Sequence, residues 1–449
     1  MIKNIAAILF SAGVGLTHLP MEARTQSPTQ PQTSLAPASP SATSPLTAAE
    51  PAPAKPTASG KMDPVAATQT FMNRLQGEVR AKGDGYTEGG YWLMLWNLVY
   101  ALVVMWFLLS SRISSRIRDF AERRAQLEHS QTVLYVLAFV PLVALLVFPL
   151  TFYEGFYRAH QYGLSNLSFP QWLVEKGLGL VAEMVVAVII WTSACAILRR
   201  LPQTWWAWGT LTGGMFIVFL LMAVPVLIDP LFNTYKPLPA GPIRDDILSM
   251  ARANGIPAEN VYHYDGSRQT KLIGANVSGL FGTTRITLSD NLLNGATPAE
   301  IRAVVAHEMG HYVLNHGLKH AISFTLVLLG GLLFIKFSLA WVLSRFGGRF
   351  GVRGISDPAG IPLLLALALI YIFLATPVVY TIVRTAETEA DLFGLNAARE
   401  PDGFAEVIFK SAEARKLEPG PVEEFMLFHH PSGYNRILAA MRWKTENMK

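Results

Sequence analysis

The sequence predicts an all-α polytopic membrane protein that also carries a small α+β unit. Of its 449 residues, 51% are hydrophobic and only 15% are charged, which is more apolar than an ordinary soluble protein. Six apolar stretches are each long enough to cross a bilayer as a helix. The segment between the fourth and fifth stretches has a soluble-looking composition instead. The prediction is six long spans plus an N-terminal signal or anchor, with one insert.

The first 61 residues are predicted to be a targeting segment and a tether. Residues 1–24 combine Lys3 with a short apolar run, which is typical of a signal peptide or an uncleaved membrane anchor. Residues 25–61 are rich in Pro, Ala, Ser and Thr and contain hardly any large apolar side chain. Because such a segment cannot bury enough surface to order itself, we expect a disordered tether.

The six predicted spans form two groups that flank the insert. Residues 62–228 form an N-terminal membrane domain with four spans, and residues 321–383 provide two more. The single cysteine, Cys195, excludes an intrachain disulfide. The net charge of +5 is small for this length, which argues against nucleic acid as a partner and leaves the lipid bilayer. The predicted spans cover residues 91–110, 133–153, 177–198, 208–228, 321–343 and 361–383.

The insert, residues 229–320, is predicted to be the α+β unit. Its pattern indicates a helix over 242–255, a strand over 260–264 and a hairpin over 272–288 with Gly282 near its turn. A last helix then leads almost directly into the fifth span.

This last helix carries two histidines and a glutamate at a spacing typical of a catalytic zinc site. Thr297 and Glu300 form a capping box at its start. His307 and His311 lie about 40° apart on one face, so both rings can reach one ion, and Glu308 lies beside them. Such residues on an otherwise apolar helix are costly without a partner. The pattern predicts a zincin-like catalytic unit with one Zn²⁺ per chain and Glu308 as the base that accepts a proton from water.

Two further histidines follow this motif and are not expected to bind the metal. His316 would lie about 180° from His307 on a continuous helix and face away from the ion, as a surface or packing residue. His320 is interpreted in the same way. Leu314 and Gly317 stand where the metzincin pattern needs Gly and His, which excludes that class.

The C-terminal segment, residues 384–449, offers a third ligand directly after the sixth span. Glu387 lies four residues beyond the last apolar residue of that span, and Asp391 follows one helical turn later on the same face. We expect Glu387 to bind the metal and Asp391 to accept the spare ring N–H of a ligating histidine. Glu389 points about 200° away and is the alternative ligand.

Several motifs together resemble the CAAX prenyl protease 1 family, in the form of a bacterial-type member. The family consists of polytopic membrane zinc endopeptidases with seven spans around a water-filled chamber, and the resemblance extends over about residues 91–443. Two motifs depart from the family pattern: SRxxE reads VRTAE at 383–387, and the Ser-Asn-Ala-Tyr strand reads ANVS at 275–278. The motifs that match are HEMGH at 307–311, RTAETEAD at 384–391, DPLFN at 229–233, His430-Pro-Ser with Arg436-Ile, and 156–166.

The resemblance also implies roles for residues that spacing alone does not assign. It implies the same zinc ligands and the same base. His430 and Arg436 would lie near the scissile carbonyl and the ligand shell, where one of them stabilises the oxyanion, with Tyr434 as the alternative. Asn276 would lie on the edge strand that pairs with an extended substrate.

The predicted function is that of a membrane-embedded zinc metalloendopeptidase, which hydrolyses peptide bonds with activated water. Its partners would be the bilayer and a peptide or protein substrate, which the resemblance allows to be lipidated. One alternative is a membrane quality-control metalloprotease of the heat-shock type, although such proteins have shorter chains with fewer spans. The other is a non-enzymatic receptor or transporter, which would not need Glu308.

The arginines beside the spans predict which side of the membrane the site faces. The short loops after the first, third and fifth spans carry ten arginines. The loop after the second span has only two basic residues, Arg158 and Lys176. Because positive short loops mark the cytoplasmic side, we expect a bacterial inner-membrane protein whose active site faces the periplasm. The resemblance to eukaryotic relatives implies the opposite, a cytosolic site. The ten are Arg112, Arg116, Arg118, Arg123, Arg124, Arg199, Arg200, Arg345, Arg349 and Arg353.

Overall fold

The computed structural model describes residues 62–279 and 284–448. The expected signal or anchor over 1–24, the expected tether over 25–61 and the expected turn at Gly282 lie outside the described residues. Within the described ranges the chain is mostly helical and contains one small mixed sheet.

The first part of the described chain is a series of helices. A short helix, α1 (Pro64–Arg74), is capped by Asp63, whose carboxylate accepts a hydrogen bond from the amide of Val65. The helices that follow are α2 (Gly77–Ser110), α3 (Ile113–Arg124), α4 (Glu128–Phe152), α5 (Phe169–Arg200) and α6 (Trp205–Ala223). Both α4 and α6 end in a π-helical turn, Tyr153–Arg158 and Val224–Ile228 respectively.

The insert is built around a four-stranded sheet. Its elements are β1 (Tyr235–Pro237), α7 (Pro242–Ala253), β2 (Val261–Tyr264), β3 (Ala275–Ser278), β4 (Arg285–Ser289), α8 (Asp290–Gly295) and α9 (Pro298–Val313). The strand order is β1-β2-β4-β3, with β2 and β4 parallel and the other pairs antiparallel. The predicted helix, strand and strand pairing are therefore confirmed. Within the described residues β3 is an edge strand, and Asn276 on it pairs with Thr287.

The chain after α9 completes the membrane part and the C-terminal segment. It forms α10 (His316–Phe350), α11 (Ile361–Ala398), α12 (Pro401–Lys410), α13 (Pro421–Leu427) and α14 (Gly433–Asn447). Within the described residues, six helices are long and apolar enough to cross a membrane, namely α2, α4, α5, α6, α10 and α11, which confirms the predicted fold class. Because α11 continues well beyond the sixth predicted span, this one helix carries both the span and Glu387.

Helix α1 packs against the C-terminal helices. Phe71 of α1 is buried in one apolar cluster with Ile437 and Met441 of α14. Arg74 donates two hydrogen bonds to the carboxylate of Glu406 on α12, at 2.8 and 2.9 Å. The segment that enters the first span is therefore held against the C-terminal segment.

The arginine-rich segment after the first span lies near the start of α11, far along this helix from Glu387. Arg118 on α3 donates a hydrogen bond at 2.6 Å to Asp357, which immediately precedes the start of α11. Arg112 donates at 3.2 Å to the carbonyl of Arg349 near the end of α10. From the first residue of α11 to Glu387 is 26 residues, or about 39 Å of helix.

Candidate active site

Helix α9 presents the HEMGH motif from within the protein core. The predicted capping box is present: the Thr297 hydroxyl accepts from the Glu300 amide at 3.3 Å, and the Glu300 carboxylate accepts from the Thr297 amide at 3.0 Å. Lys410 of α12 forms an ion pair with Glu300 at 2.7 Å, which ties this helix start to the C-terminal segment. His307 and Glu308 are both buried.

Two glycines allow α9 and α11 to pack unusually closely. A Cβ atom at Gly394 of α11 would lie 3.0 Å from the amide nitrogen of His307. A Cβ atom at Gly310 of α9 would lie 3.1 Å from the Cα atom of Ala390. Because neither glycine carries a side chain, Glu387 on α11 can approach the two histidines on α9.

The three predicted ligands converge on one point. The Nε2 atoms of His307 and His311 are 3.1 Å apart, and they lie 3.3 and 3.5 Å from the carboxylate oxygens of Glu387. A tetrahedral zinc ion with ligands at about 2.0–2.2 Å separates its ligand atoms by about 3.3–3.6 Å. The donor set and its spacing therefore fit a single zinc ion.

A buried ion pair between Asp391 and Arg436 lies on the Nδ1 side of the His307 ring. The Nδ1 atom of His307 is 2.8 Å from the carboxylate of Asp391, the residue that the sequence analysis expects to accept the spare ring hydrogen. Arg436 of α14 donates two hydrogen bonds to the same carboxylate, at 2.8 and 2.5 Å. The Arg436 guanidinium is thus directed at Asp391. This contact favours a role in holding Asp391 against His307 over a role in binding the oxyanion.

The loop between α13 and α14 brings His430 to the same point. The Nε2 atom of His430 lies 3.1 Å from a carboxylate oxygen of Glu387. Arg384 of α11 holds α13 and the start of this loop by donating hydrogen bonds to the backbone carbonyls of Glu424 in α13, at 3.0 Å, and of Phe428 in the loop. His430 is therefore buried beside the candidate metal position.

The electrostatics of the two histidines differ. Burial opposes a charge on His307, but its contacts with Asp391 and Glu387 outweigh burial and raise the pKa of His307 to about 10. Burial lowers the pKa of His311 to about 4, against the attraction of Glu387. The negative charge that retains a proton on His307 also favours a divalent cation, and the lone pair on the unprotonated ring nitrogen of neutral His311 is available to bind one.

A small cavity is lined by Glu308 and by several of the residues described above. It has a volume of about 50 Å³, room for a few water molecules, and its lining includes His307, Glu308, Glu387, His430 and Arg436. The base candidate Glu308 and two of the three proposed ligands, His307 and Glu387, therefore line the same cavity.

Two other candidates lie outside this cavity. Tyr434 packs with the apolar cluster around α14 and does not line the cavity. The alternative ligand Glu389 contacts His316 at 3.1 Å and Lys319 at 2.5 Å instead of the convergence point.

The prediction that His316 lies about 180° round the helix from the ligating face is wrong. Its Nδ1 atom lies 2.9 Å from Nδ1 of His311, and it is only 1% exposed. The reason is that α9 ends at Val313 and α10 begins at His316, with Asn315 in the left-handed region (φ +54°). Asparagine tolerates that conformation better than other non-glycine residues, so Asn315 was the available signal for a helix break.

Comparison with known proteins agrees with this architecture. A model described as peptidase family M48 matches residues 237–444, and one described as CAAX prenyl protease N-terminal, five membrane helices, matches residues 65–234. Residues 237–444 therefore form a peptidase family M48 domain. The chain is accordingly a metallopeptidase and an integral membrane protein, and the predicted resemblance to CAAX prenyl proteases is confirmed.

Individual relatives support the family assignment. An uncharacterized metalloprotease of Bacillus subtilis is 28% identical over 343 residues, which are 74% of this chain and 79% of the relative. CAAX prenyl protease 1 of Saccharomyces cerevisiae is 31% identical, but the match spans 41% of this chain and 42% of that relative. The human CAAX prenyl protease 1 homolog is 23% identical over 80% of this chain and 82% of its own length.

A solved structure shows the same fold. The crystal structure of S. mikatae Ste24p superimposes with a TM-score of 0.68 over 84% of this chain and 94% of that chain, at 21% sequence identity.

Proposed function

We propose that this chain is a zinc-dependent endopeptidase in which His307, His311 and Glu387 hold one zinc ion and Glu308 is the general base. The observation that carries the proposal is the convergence of the two Nε2 atoms and the Glu387 carboxylate at 3.1–3.5 Å beside a cavity that Glu308 also lines. When bound there, zinc supplies Lewis-acid activation of water and of a peptide carbonyl.

The side chains divide the remaining work. The Glu308 carboxylate accepts a proton from the attacking water and delivers it to the nitrogen of the leaving amine. His430, which reaches Glu387 at 3.1 Å, donates a hydrogen bond to the oxygen of the scissile carbonyl as negative charge develops there. Asp391, held by Arg436, accepts the Nδ1 hydrogen of His307 and keeps its Nε2 directed at the zinc.

We propose that the substrate is an extended peptide aligned along β3. This strand pairs with β4 on one side only, within the described residues, and Asn276 lies on it. An extended peptide can add to such an edge through backbone hydrogen bonds. The match of the CAAX prenyl protease N-terminal model favours this family type over the heat-shock type. Cleavage of matched prenylated and unprenylated peptides tests whether lipidation of the substrate matters.

The activity can be tested with a library of unstructured peptides. The purified full chain in detergent is expected to cleave library members, to lose this activity in a chelator and to regain it when zinc is restored. Mass spectrometry reads the cut sites. Cleavage that persists at full rate in a chelator, with no zinc left in the protein, would refute a zinc peptidase.

We further propose that the site faces the side of the membrane opposite the arginine-rich loops, which is the periplasm in a bacterial inner membrane. The contacts of Arg118 with Asp357, at the far end of the helix that carries Glu387, support this orientation. An alkaline-phosphatase fusion after Lys449 is expected to be active, and one within residues 114–126 inactive. The reverse pattern would contradict the orientation.

A further inference from the structure

Each histidine of the proposed metal site has a polar group close to its Nδ1 atom, but the two groups differ in chemistry. His307 has the carboxylate of Asp391 at 2.8 Å from Nδ1. His311 has a second imidazole, because its Nδ1 lies 2.9 Å from Nδ1 of His316. The other nitrogen of His316, Nε2, lies 3.1 Å from a carboxylate oxygen of Glu389. Both nitrogens of His316 are therefore already engaged.

The proton positions in this chain follow from the chemistry of its members. If His311 binds the metal through Nε2, the atom that faces His307, its ring hydrogen is on Nδ1. Nδ1 of His316 must then accept that hydrogen bond, so the hydrogen of His316 is on Nε2. An ionised carboxylate only accepts hydrogen bonds, so Glu389 fixes this arrangement. His311 Nδ1 then donates to His316 Nδ1, and His316 Nε2 donates to the Glu389 carboxylate, so each donor has an acceptor.

We propose that His316 is a positioning residue that, together with Glu389, fixes the tautomer and ring orientation of His311 for metal binding. The inference rests on the proposed function, since it concerns His311 as a zinc ligand. It assigns Glu389 a role other than that of a ligand. Lys319, whose ammonium lies 2.5 Å from the same Glu389 oxygen, balances the charge of this carboxylate.

The fold builds this contact with a break in the helix. Asn315 has φ +54° and ψ +39°, and it separates the end of α9 from the start of α10. The break folds His316 back against His311, with the ring centroids 5.0 Å apart and the ring planes at 72°. His316 is 1% exposed, so this pairing is shielded from competing water.

The test compares two substitutions of His316 in the purified full chain. In His316→Asn, the side-chain carbonyl oxygen can take the place of the accepting Nδ1, whereas His316→Leu keeps bulk and removes the acceptor. His320→Leu is the matched control, because His320 is also buried and neighbours His316 at 6.3 Å, yet neither of its nitrogens has a hydrogen-bond partner among the described residues.

The readout is the zinc dissociation constant, measured by competition with a chelator, together with the visible spectrum of the cobalt-substituted protein. His316→Leu is expected to weaken zinc binding about 10- to 100-fold and to shift the cobalt spectrum. His316→Asn is expected to restore most of the affinity, and His320→Leu to match the wild type. Glu389→Ala is expected to weaken binding in the same direction by a smaller factor.

Three results would overturn the proposal: wild-type affinity in His316→Leu, equal losses in His316→Leu and His316→Asn, or an equal loss in His320→Leu. Unchanged affinity in Glu389→Ala would overturn the role given to Glu389. His311→Ala separates this failure from failure of the proposed function. If His311→Ala keeps zinc, the zinc site itself is wrong; if it loses zinc while His316→Leu does not, only the positioning role is wrong.

Discussion

Gly394 of α11 lies directly against the backbone of His307, so that a Cβ atom at position 394 would come within 3.0 Å of the His307 amide nitrogen. This contact sets the distance between the helix that supplies two proposed ligands and the helix that supplies the third. A side chain at position 394 therefore acts on the proposed metal site without touching the metal.

The first prediction is that Gly394→Ala separates α9 from α11. The added methyl group should destabilise the protein by about 1–3 kcal/mol, because close-packed helices accommodate extra volume poorly. Turnover should fall by about tenfold or more, because Glu387 moves away from His307. Thermal unfolding and peptidase assays check both effects. Gly179→Ala is the control, since a Cβ atom at Gly179 meets nothing within 4 Å.

Wild-type stability and turnover in Gly394→Ala would show that the helix separation tolerates a methyl group. A similar loss in Gly179→Ala would mean that the effect is a general response of membrane helices and does not depend on this contact.

A second prediction concerns the three proposed ligands. His307→Ala, His311→Ala and Glu387→Ala should each lose stoichiometric zinc, because three protein ligands are the usual minimum for a catalytic zinc site. Metal analysis of the purified variants measures this. Glu389→Ala is expected to keep one zinc per chain at saturating zinc. If Glu387→Ala kept its zinc and Glu389→Ala lost it, the third ligand would be Glu389.

The local part of this site could be predicted from the sequence, because its geometry depends on spacing within one helix. The capping box at Thr297 and Glu300 and the i, i+4 pair His307 and His311 are properties of adjacent turns. The six spans could also be predicted, since length and apolarity alone decide whether a helix can cross a bilayer.

The rest of the site depends on tertiary contacts or on single backbone torsions. Arg436 and Asp391 are 45 residues apart in sequence, and no local sequence pattern predicts that they form an ion pair. The position of His316 depends on one left-handed residue, Asn315, which the assumption of a continuous helix overlooked. The packing of Phe71 against the C-terminal helices joins the two ends of the described chain, and local patterns carry no information about it.

The third prediction is that zinc affinity depends steeply on pH. Contacts with Asp391 and Glu387 raise the pKa of metal-free His307 to about 10, and burial lowers that of His311 to about 4. Between about pH 5 and pH 9, zinc must therefore displace one proton from His307 and none from His311. Each unit decrease in pH should weaken apparent zinc affinity about tenfold. Competition with a pH-corrected chelator measures this slope, and a flat profile over that range would contradict it.

Arg436 provides the fourth prediction. Arg436→Leu leaves Asp391 buried without its ion-pair partner, and removing one partner of a buried pair costs about 3–5 kcal/mol. We therefore expect a lower unfolding temperature and weaker zinc binding, because Asp391 no longer holds His307 firmly. Arg436→Lys keeps the charge but loses the bidentate hydrogen bonding, so it should recover part of the unfolding temperature and part of the zinc affinity. Unchanged zinc affinity in Arg436→Leu would remove Arg436 from the support of the metal site.

The measurement that tests the central claim most directly is the zinc content and turnover of Glu308→Gln, determined on the same preparation. Glutamine has nearly the shape of glutamate but cannot accept a proton, and Glu308 is not among the three proposed ligands. The variant is expected to keep one zinc per chain and wild-type thermal stability while turnover falls by orders of magnitude. Substantial peptidase activity in zinc-replete Glu308→Gln would contradict the assignment of Glu308 as the base, and with it the proposed mechanism.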